Sequence, residues 1–324
     1  QNGPALLTFR KPYYRGFELG CMKVSVVVPT YSLDRYPDFC ECVDALLAQT
    51  YDDVEIVVIV DGNEAVYERV CEDYDDEESV VSYLSHDDTG PLSRANMGAI
   101  QSSGEVVALT DDDAVPAADW VEHLVDAYER HDALAVGGKM TADWVAGKAD
   151  YIPEEFYFLI GVTHRGFPTE EGEVRNTFGA NLSFKRDAFL KLGGIKQGGI
   201  DPSSVQGRET EFCSRLGRTY GQKVIYTPDA TVSHKIYSYR TEPKWLVERA
   251  FWQGYSKRAM EKLVPESSDE ESEQLRRLLL RYIPRRVWNL LVSPTETRAT
   301  QLVMLFVLLA ATGIGYLYGM LRWR

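Results

Sequence analysis

The chain has 324 residues and a formal net charge of −14, with a pI near 4.9. That balance excludes nucleic acid as the principal partner, because a phosphate-backbone binder needs a basic face. An apolar fraction of 44% is enough for a real core, and the length fits one large domain with an appendage.

Residues 1–21 (QNGPALLTFRKPYYRGFELGC) carry no clear period and read as a poorly ordered leader or an added extension, with Met22 as a natural start. From there strands and helices alternate. KVSVVVP is a fully apolar strand, and YPDFCECVDALLAQ places Phe39, Val43, Leu46 and Leu47 on one helical face. VEIVVIV is a second strand ending at Asp61-Gly62, EAVYERVCEDY a helix, and SVVSYL a third strand. LSRANMGAIQSS is a helix closed by Gly104; EVVALT is a fourth strand; AADWVEHLVDAYERH is the next helix. Strands this apolar, separated by single helices, predict a mostly parallel sheet with helices on both faces. Residues 22–136 form this first half.

Residues 137–264 form a second half richer in Gly, aromatics and charge. NTFGANLSFKRDAFLKLGG reads as strand, helix and Gly stop, ETEFCSRLGRTYG as a short helix, KVIYTPDATVSH as a strand pair, and EPKWLVERAFWQGYSKRAMEKLV as a long amphipathic helix. Residues 265–299 comprise an acidic linker (SSDEESEQ) and a Leu-, Trp- and Arg-rich interfacial helix. Within residues 300–322, the uncharged run Leu302–Leu321 has the length of a bilayer span, with Tyr316, Tyr318 and Trp323 as interface anchors. Arg flanks both ends of the span, so charge does not orient it.

The five cysteines match neither a zinc site nor a disulfide framework and read as small apolar fillers in a reducing compartment. Arg outnumbers Lys 23 to 12, which together with the acidity points to a salt-rich cytoplasm.

The fourth strand ends in three consecutive acids, Asp111, Asp112 and Asp113. Ligands of open parallel sheets bind beyond the carboxyl ends of the strands. On an extended segment Asp111 and Asp113 share a face while Asp112 points away. Two convergent carboxylates are costly unless a divalent cation joins them, and hard Mg2+ or Mn2+ prefers such oxygens. A charge cluster placed before a helix for its dipole is the simpler alternative. Pro29-Thr30-Tyr31 and Asp61-Gly62-Asn63 end the first two strands, so three ligand-capable ends line one edge.

With VSVVVPTYS, VEIVVIVDGN, GPLSRANMGAI, VVALTDDDAVP, FGANLSFKRDAF, GRETEFCSRL and TPDATVSH in order from Lys23 to about Lys235, the chain resembles the inverting glycosyltransferases of family 2, whose GT-A fold binds nucleotide-sugars. The resemblance implies a nucleotide-sugar site of Pro29, Thr30, Tyr31, Asp61, Arg94, Asn96, Asp111 and Asp112. It implies a metal held by Asp113, Asp111 and His234. It also puts Glu209 at the catalytic base, where the family usually has Asp, with Glu211 in reserve. Val60 stands where many relatives have a first Asp, and Arg94 is displaced by one residue from the family's usual place.

The resemblance and the tail together imply transfer of a hexose or hexuronic acid, with inversion, to a lipid-linked, dolichol-phosphate-type acceptor in protein N-glycosylation and S-layer assembly, in a halophilic archaeon. The catalytic domain would face the cytoplasm from a single-pass membrane anchor, and other glycan-assembly enzymes would be its companions. Lys185, Arg186 and Arg208 are candidates to pair with a sugar carboxylate. A processive synthase is disfavoured by the single span; WQGYS, Trp252–Ser256, is the nearest echo of the processive QxxRW motif and reads as helix packing. The alternatives are a GT-A-fold binding protein without catalysis, a glycosyltransferase acting on another glycolipid or polysaccharide, and a nucleotidyltransferase. The last is disfavoured because PTYSLDRYP carries no Gly-rich, basic phosphate loop.

Overall fold

The computed structural model describes residues 22–85, 91–196, 207–263, 273 and 275–323. The leader and nearly all of the acidic linker lie outside the described residues. The first half runs β1 (Val24–Thr30), α1 (Tyr36–Leu47), β2 (Val54–Asp61), α2 (Glu64–Tyr74), β3 (Val80–Ser85), α3 (Pro91–Gln101) and β4 (Val106–Leu109). These four strands are parallel neighbours in the order β3-β2-β1-β4. The valine runs follow from burial on both faces. Val24, Val26 and Val28 of β1 enter one apolar cluster with Phe39, Val43 and Leu46 of α1, whereas Val27 enters another with Ala95 and Ala99 of α3. Each fully buried Val is worth about 1.5–3 kcal/mol relative to exposure, which fixes the strands without alternating polar positions.

The rest of the sheet is mixed. It runs β5 (Ala114–Pro116), α4 (Trp120–His131), β6 (Ala135–Asp143), β7 (Gly172–Val174), β8 (Leu182–Lys185), α5 (Arg186–Lys191), α6 (Arg208–Tyr220) and β9 (Val224–Lys235). The sheet continues β4-β8-β6-β9-β5, with β8 antiparallel to both neighbours, β6 parallel to β9, and β5 and β7 antiparallel to β9. KVIYTPDATVSH is therefore one strand, not a pair. Pro228, Asp229 and Ala230 bulge out where Gly138 and Lys139 face Thr227 and Thr231. The Ala230 carbonyl accepts from Asn181 Nδ2 at 2.9 Å, and this bond holds the bulge within a continuous strand.

After the short α7 (Ser238–Thr241), α8 (Pro243–Leu263) has the length its sequence predicts but no single apolar stripe. Leu246 and Ala250 bury with Ile152, Phe156 and Leu159 from the segment between β6 and β7 and with Leu305 and Leu308 of the terminal helix, so two partners claim its surface. A π-helical turn at Leu278–Tyr282 leads into the helix Ile283–Val292, which leaves Trp288 and Leu291 exposed. The terminal helix Glu296–Arg322 is long and apolar enough to cross a membrane. It packs along α8, Gly315 against the Phe251 backbone and Gly254 against Thr312. The aromatic end is also used inside the protein. Tyr316 Oη donates to Glu261 at 2.8 Å, and Tyr318 and Trp323 lie 5.8 and 5.6 Å from the Tyr255 ring. Val303, Phe306, Ile314, Leu317 and Leu321 remain exposed.

Candidate active site

Because β2, β1 and β4 are parallel neighbours, Asp61, Thr30 and the three acids reach one edge of the sheet. Thr30 is fully buried, and Tyr31 beyond it is exposed. The buried Asp61 carboxylate lies 3.2 Å from Arg94 Nε, and the Arg94 guanidinium lies over the Tyr31 ring at 5.5 Å. Arg94 thus crosses from α3 to the ends of β1 and β2.

The acids occupy a turn, not the extended segment that alternation assumed: the Ala114 N–H donates to the Asp111 carbonyl at 3.1 Å. Asp111 and Asp113 still converge, now because the turn folds one toward the other. Their carboxylate oxygens and a ring nitrogen of His234 all lie within 4.8 Å of one another. Asp112 does not simply point away. Arg35 Nη2 bridges it and Asp113, at 2.7 Å from Asp112 Oδ1 and 2.8 Å from Asp113 Oδ2. Strand pairing brings in His234, which is registered opposite Ala114, while the Lys235 N–H donates to the Asp113 carbonyl at 2.9 Å. Gly161, at φ +79°, leaves room for the ring: a Cβ there would lie 2.8 Å from His234 Cε1.

Arg240 completes the cluster, with Nη2 at 2.9 Å from Asp113 Oδ2 and Nη1 at 2.8 Å from His234 Nε2. Asp111 opens to the cleft, yet loss of water on its other sides, then repulsion from Asp113 and Asp112, push its carboxyl up to about 7. Burial likewise raises Asp112 to about 6 against the pull of Arg35. Burial lowers His234 to about 4 although Asp113 opposes it, so the imidazole is neutral at physiological pH, and the lone pair that accepts from Arg240 here is the one a metal would take over. Two carboxylates and a neutral imidazole fit a divalent cation such as Mn2+, which would also relieve the repulsion.

Glu209 lies in the first turn of α6. Its Oε1 occupies the space beside Gly179, 2.9 Å from where a Cβ would be. Asn181 fixes that neighbourhood by accepting from Trp120 Nε1 at 2.9 Å and from the Gly138 N–H at 3.1 Å. A cavity of about 60 Å3 is lined by Glu209, Asp111, Pro29, Thr110 and Gly179, which joins Glu209 to the acid turn and to the end of β1. Glu211 is differently placed. Arg215 grips both its oxygens, at 2.9 and 2.8 Å, and also donates to the Gly194 carbonyl at 2.8 Å.

Asn96 spends its amide on the backbone of Ile195, donating to the carbonyl at 2.8 Å and accepting from the N–H at 2.9 Å. It therefore shapes a wall of the cavity, since Ile195 also lines it. Lys185 pairs with Glu105 at 2.7 Å, and Arg186 donates to the Ala99 and Ile100 carbonyls at 2.9 and 3.0 Å, which leaves both cations engaged away from the acids. The Arg208 side chain lies outside the described residues. The sequence reading missed Arg35 and Arg240. Their proximity to His234 and to the first strand end, at Thr30, was the available signal, but only the fold turns that proximity into contact.

The family model for glycosyl transferase family 2 matches residues 25–193. The chain belongs to this family. It is 48% identical to the glucosyl-dolichyl phosphate glucuronosyltransferase of Haloferax volcanii over 303 residues, covering 93% of this chain and 97% of the relative. It is 29% identical to the glycosyltransferase GlyG of Streptococcus pneumoniae, over 52% of this chain and 54% of GlyG. A mannosyltransferase of Pyrobaculum calidifontis, solved with GDP-Man and Mn2+, has the same fold at a TM-score of 0.57 and 18% identity, over 93% of this chain and 88% of that one. The protein is thus a glycosyltransferase with a GT-A-like fold.

Proposed function

We propose that this glycosyltransferase moves a glucuronosyl residue, with inversion, from a nucleotide-activated donor to glucosyl-dolichyl phosphate. The observation that carries the reading is the likeness to the Haloferax volcanii enzyme over 93% of this chain and 97% of that one. The geometry supports it. Asp111, Asp113 and His234 would hold Mn2+ or Mg2+, which when bound supplies positive charge for the departing diphosphate. Thr30, Tyr31, Asp61 and Arg94 line the side where the nucleoside would lie, with Pro29 beside the cavity and Asn96 holding its wall. Asp112 serves through Arg35, which it shares with Asp113.

Glu209 would accept the proton of the acceptor hydroxyl, whose oxygen displaces the nucleotide from the anomeric carbon in one step. A single displacement needs one base, in contrast to the two carboxylates of a retaining glycosidase. The terminal and interfacial helices would attach the enzyme to the membrane, with the exposed apolar residues of both toward lipid. Nucleotide-sugars are cytoplasmic, so the catalytic part would face the cytoplasm, and the product would enter protein N-glycosylation.

The test is transfer from labelled nucleotide-sugars, glucuronates and hexoses side by side, to glucosyl-phospho-dolichol in high salt with Mn2+. Label entering lipid only from a glucuronate donor supports the proposal. Transfer from a hexose donor alone refutes its sugar, and label reaching only another glycolipid refutes its acceptor.

A further inference from the structure

We propose that Arg249, set against Trp245 on α8, binds the phosphate of the lipid-linked acceptor; this rests on the acceptor class named above. Arg35, Arg94 and Arg240 meet the acids at the strand ends, and Arg249 is joined to Arg240 through the Trp245 and Tyr239 rings. Three are committed: Arg35 to Asp112 and Asp113, Arg94 to Asp61, and Arg240 to Asp113 and His234. Among the described residues Arg249 has no carboxylate partner. Its guanidinium lies over the Trp245 ring at 5.9 Å and reaches solvent.

Its surroundings call for an anion. Partial desolvation, then the charge of Arg240, hold its pKa below the ordinary value, while Glu209 acts in the opposite direction. Arg249 remains a cation at neutral pH, because no protein environment brings an arginine near neutrality. A partly desolvated cation beside a second cation is unfavourable until an anion joins it, and the guanidinium fork suits two phosphate oxygens.

The position selects the acceptor over the donor. Arg249 precedes Ala250, which is buried with Leu246 against Leu305 and Leu308 of the terminal helix. It therefore sits on the element that joins the site to the apolar tail, and not on the strand ends that receive the nucleotide. Trp245 meets Tyr239 edge-on at 5.9 Å, and Tyr239 accepts from Arg240 Nε at 2.9 Å, so an aromatic wall connects Arg249 to the acid cluster. A ligand that satisfies Arg249, presents a hydroxyl to Glu209 and extends an apolar chain along the terminal helix is a sugar phosphate esterified to a polyprenol.

The experiment uses the full chain in detergent, as wild type, Arg249→Gln and Arg249→Lys. Equilibrium binding is measured for glucosyl-phospho-polyprenol, for an alkyl glucoside without phosphate, and for UDP-glucuronate. Arg249→Gln should weaken the phosphorylated acceptor about 10- to 100-fold, the range of a charge-assisted bond, and leave the glucoside and the donor within about twofold. Arg249→Lys should recover part of the loss. Equal effects on both acceptors, or none on the phosphorylated one, overturn the proposal, and unchanged donor binding shows that the variant is folded. A loss confined to UDP-glucuronate assigns Arg249 to the donor instead and also overturns it. Wild-type protein that binds the phosphorylated acceptor through Arg249 but transfers nothing to it refutes the functional reading and leaves the anion site standing.

Discussion

Glu209→Gln and Glu211→Gln separate the two acids of the α6 first turn. Gln keeps the shape of Glu and removes its basicity. The Glu209 carboxylate faces the cavity shared with Asp111 and packs beside Gly179, so the substitution leaves the packing in place and deletes only proton acceptance. A positioned base contributes about 10²–10⁴ in rate, equivalent to about 2.7–5.4 kcal/mol of barrier at 1.36 kcal/mol per decade. We expect kcat to fall by that factor with little change in either KM. Glu211 is held by Arg215 through both oxygens, and the pair is mostly buried. Glu211→Gln should cost about 0.5–1.5 kcal/mol of stability, because Arg215 keeps its bonds to the Leu192 and Gly194 carbonyls. Its kcat should stay within a few-fold of wild type. The assay is initial-rate transfer with both substrates varied, alongside thermal unfolding of each variant. A folded Glu211→Gln that loses as much kcat as Glu209→Gln would refute the assignment, as would a Glu209→Gln that retains full activity.

Other outcomes follow from the same geometry. Chelation by EDTA should abolish transfer, and Asp111→Asn should weaken Mn2+ binding at least about 100-fold by electron paramagnetic resonance while the melting temperature holds, since Asp111 opens to the cleft. A side chain at Gly254 would overlap the Thr312 backbone; Gly254→Val should therefore cost about 1–3 kcal/mol or more and release the terminal helix to trypsin, and an unchanged digest would argue that the two helices do not pack as described. His164 lies between the Phe158 and Phe167 rings at 5.4 and 5.6 Å, and burial lowers its pKa from 6.5 to about 4. The unfolded chain thus binds a proton that the folded protein resists. Stability is complete above pH 6.5 and declines toward pH 4, by up to about 3 kcal/mol from this residue. His164→Phe should flatten that part of the pH–stability curve, and an unaltered slope in urea unfolding would contradict the cause.

The sheet edge was legible because its code is local. Three valine-rich strands buried on both faces announce a parallel sheet, and a strand that ends in Asp111–Asp113 puts its acids at the carboxyl end without reference to any other part of the chain. Glu209 was readable as an acid in the first turn of a helix, and the terminal helix as 20 uncharged residues. Other details depended on partners. Alternation along an extended chain misdescribed Asp112, because a turn and Arg35 place it beside Asp113. The strand pair was one strand, because Asn181 holds the Ala230 bulge. Tyr316, read as an interface anchor, also donates a hydrogen bond to Glu261, which no local pattern announces.

The sequence by itself determined the strands and helices from Lys23 to Leu109, that acids crowd the end of β4, and that the tail is apolar, since periodicity, charge and length are properties of neighbours in the chain, whereas β5, β6 and β7 carry no clear period. Only the tertiary structure decided that β5 sets His234 opposite Ala114, that Arg35 and Arg240 pair with Asp113, that Arg215 occupies Glu211 while Glu209 faces the cavity, and that Arg249 meets no carboxylate among the described residues. Each of these rests on strand register or helix docking between residues far apart in the chain, and such contacts are selected by burial and charge pairing in three dimensions.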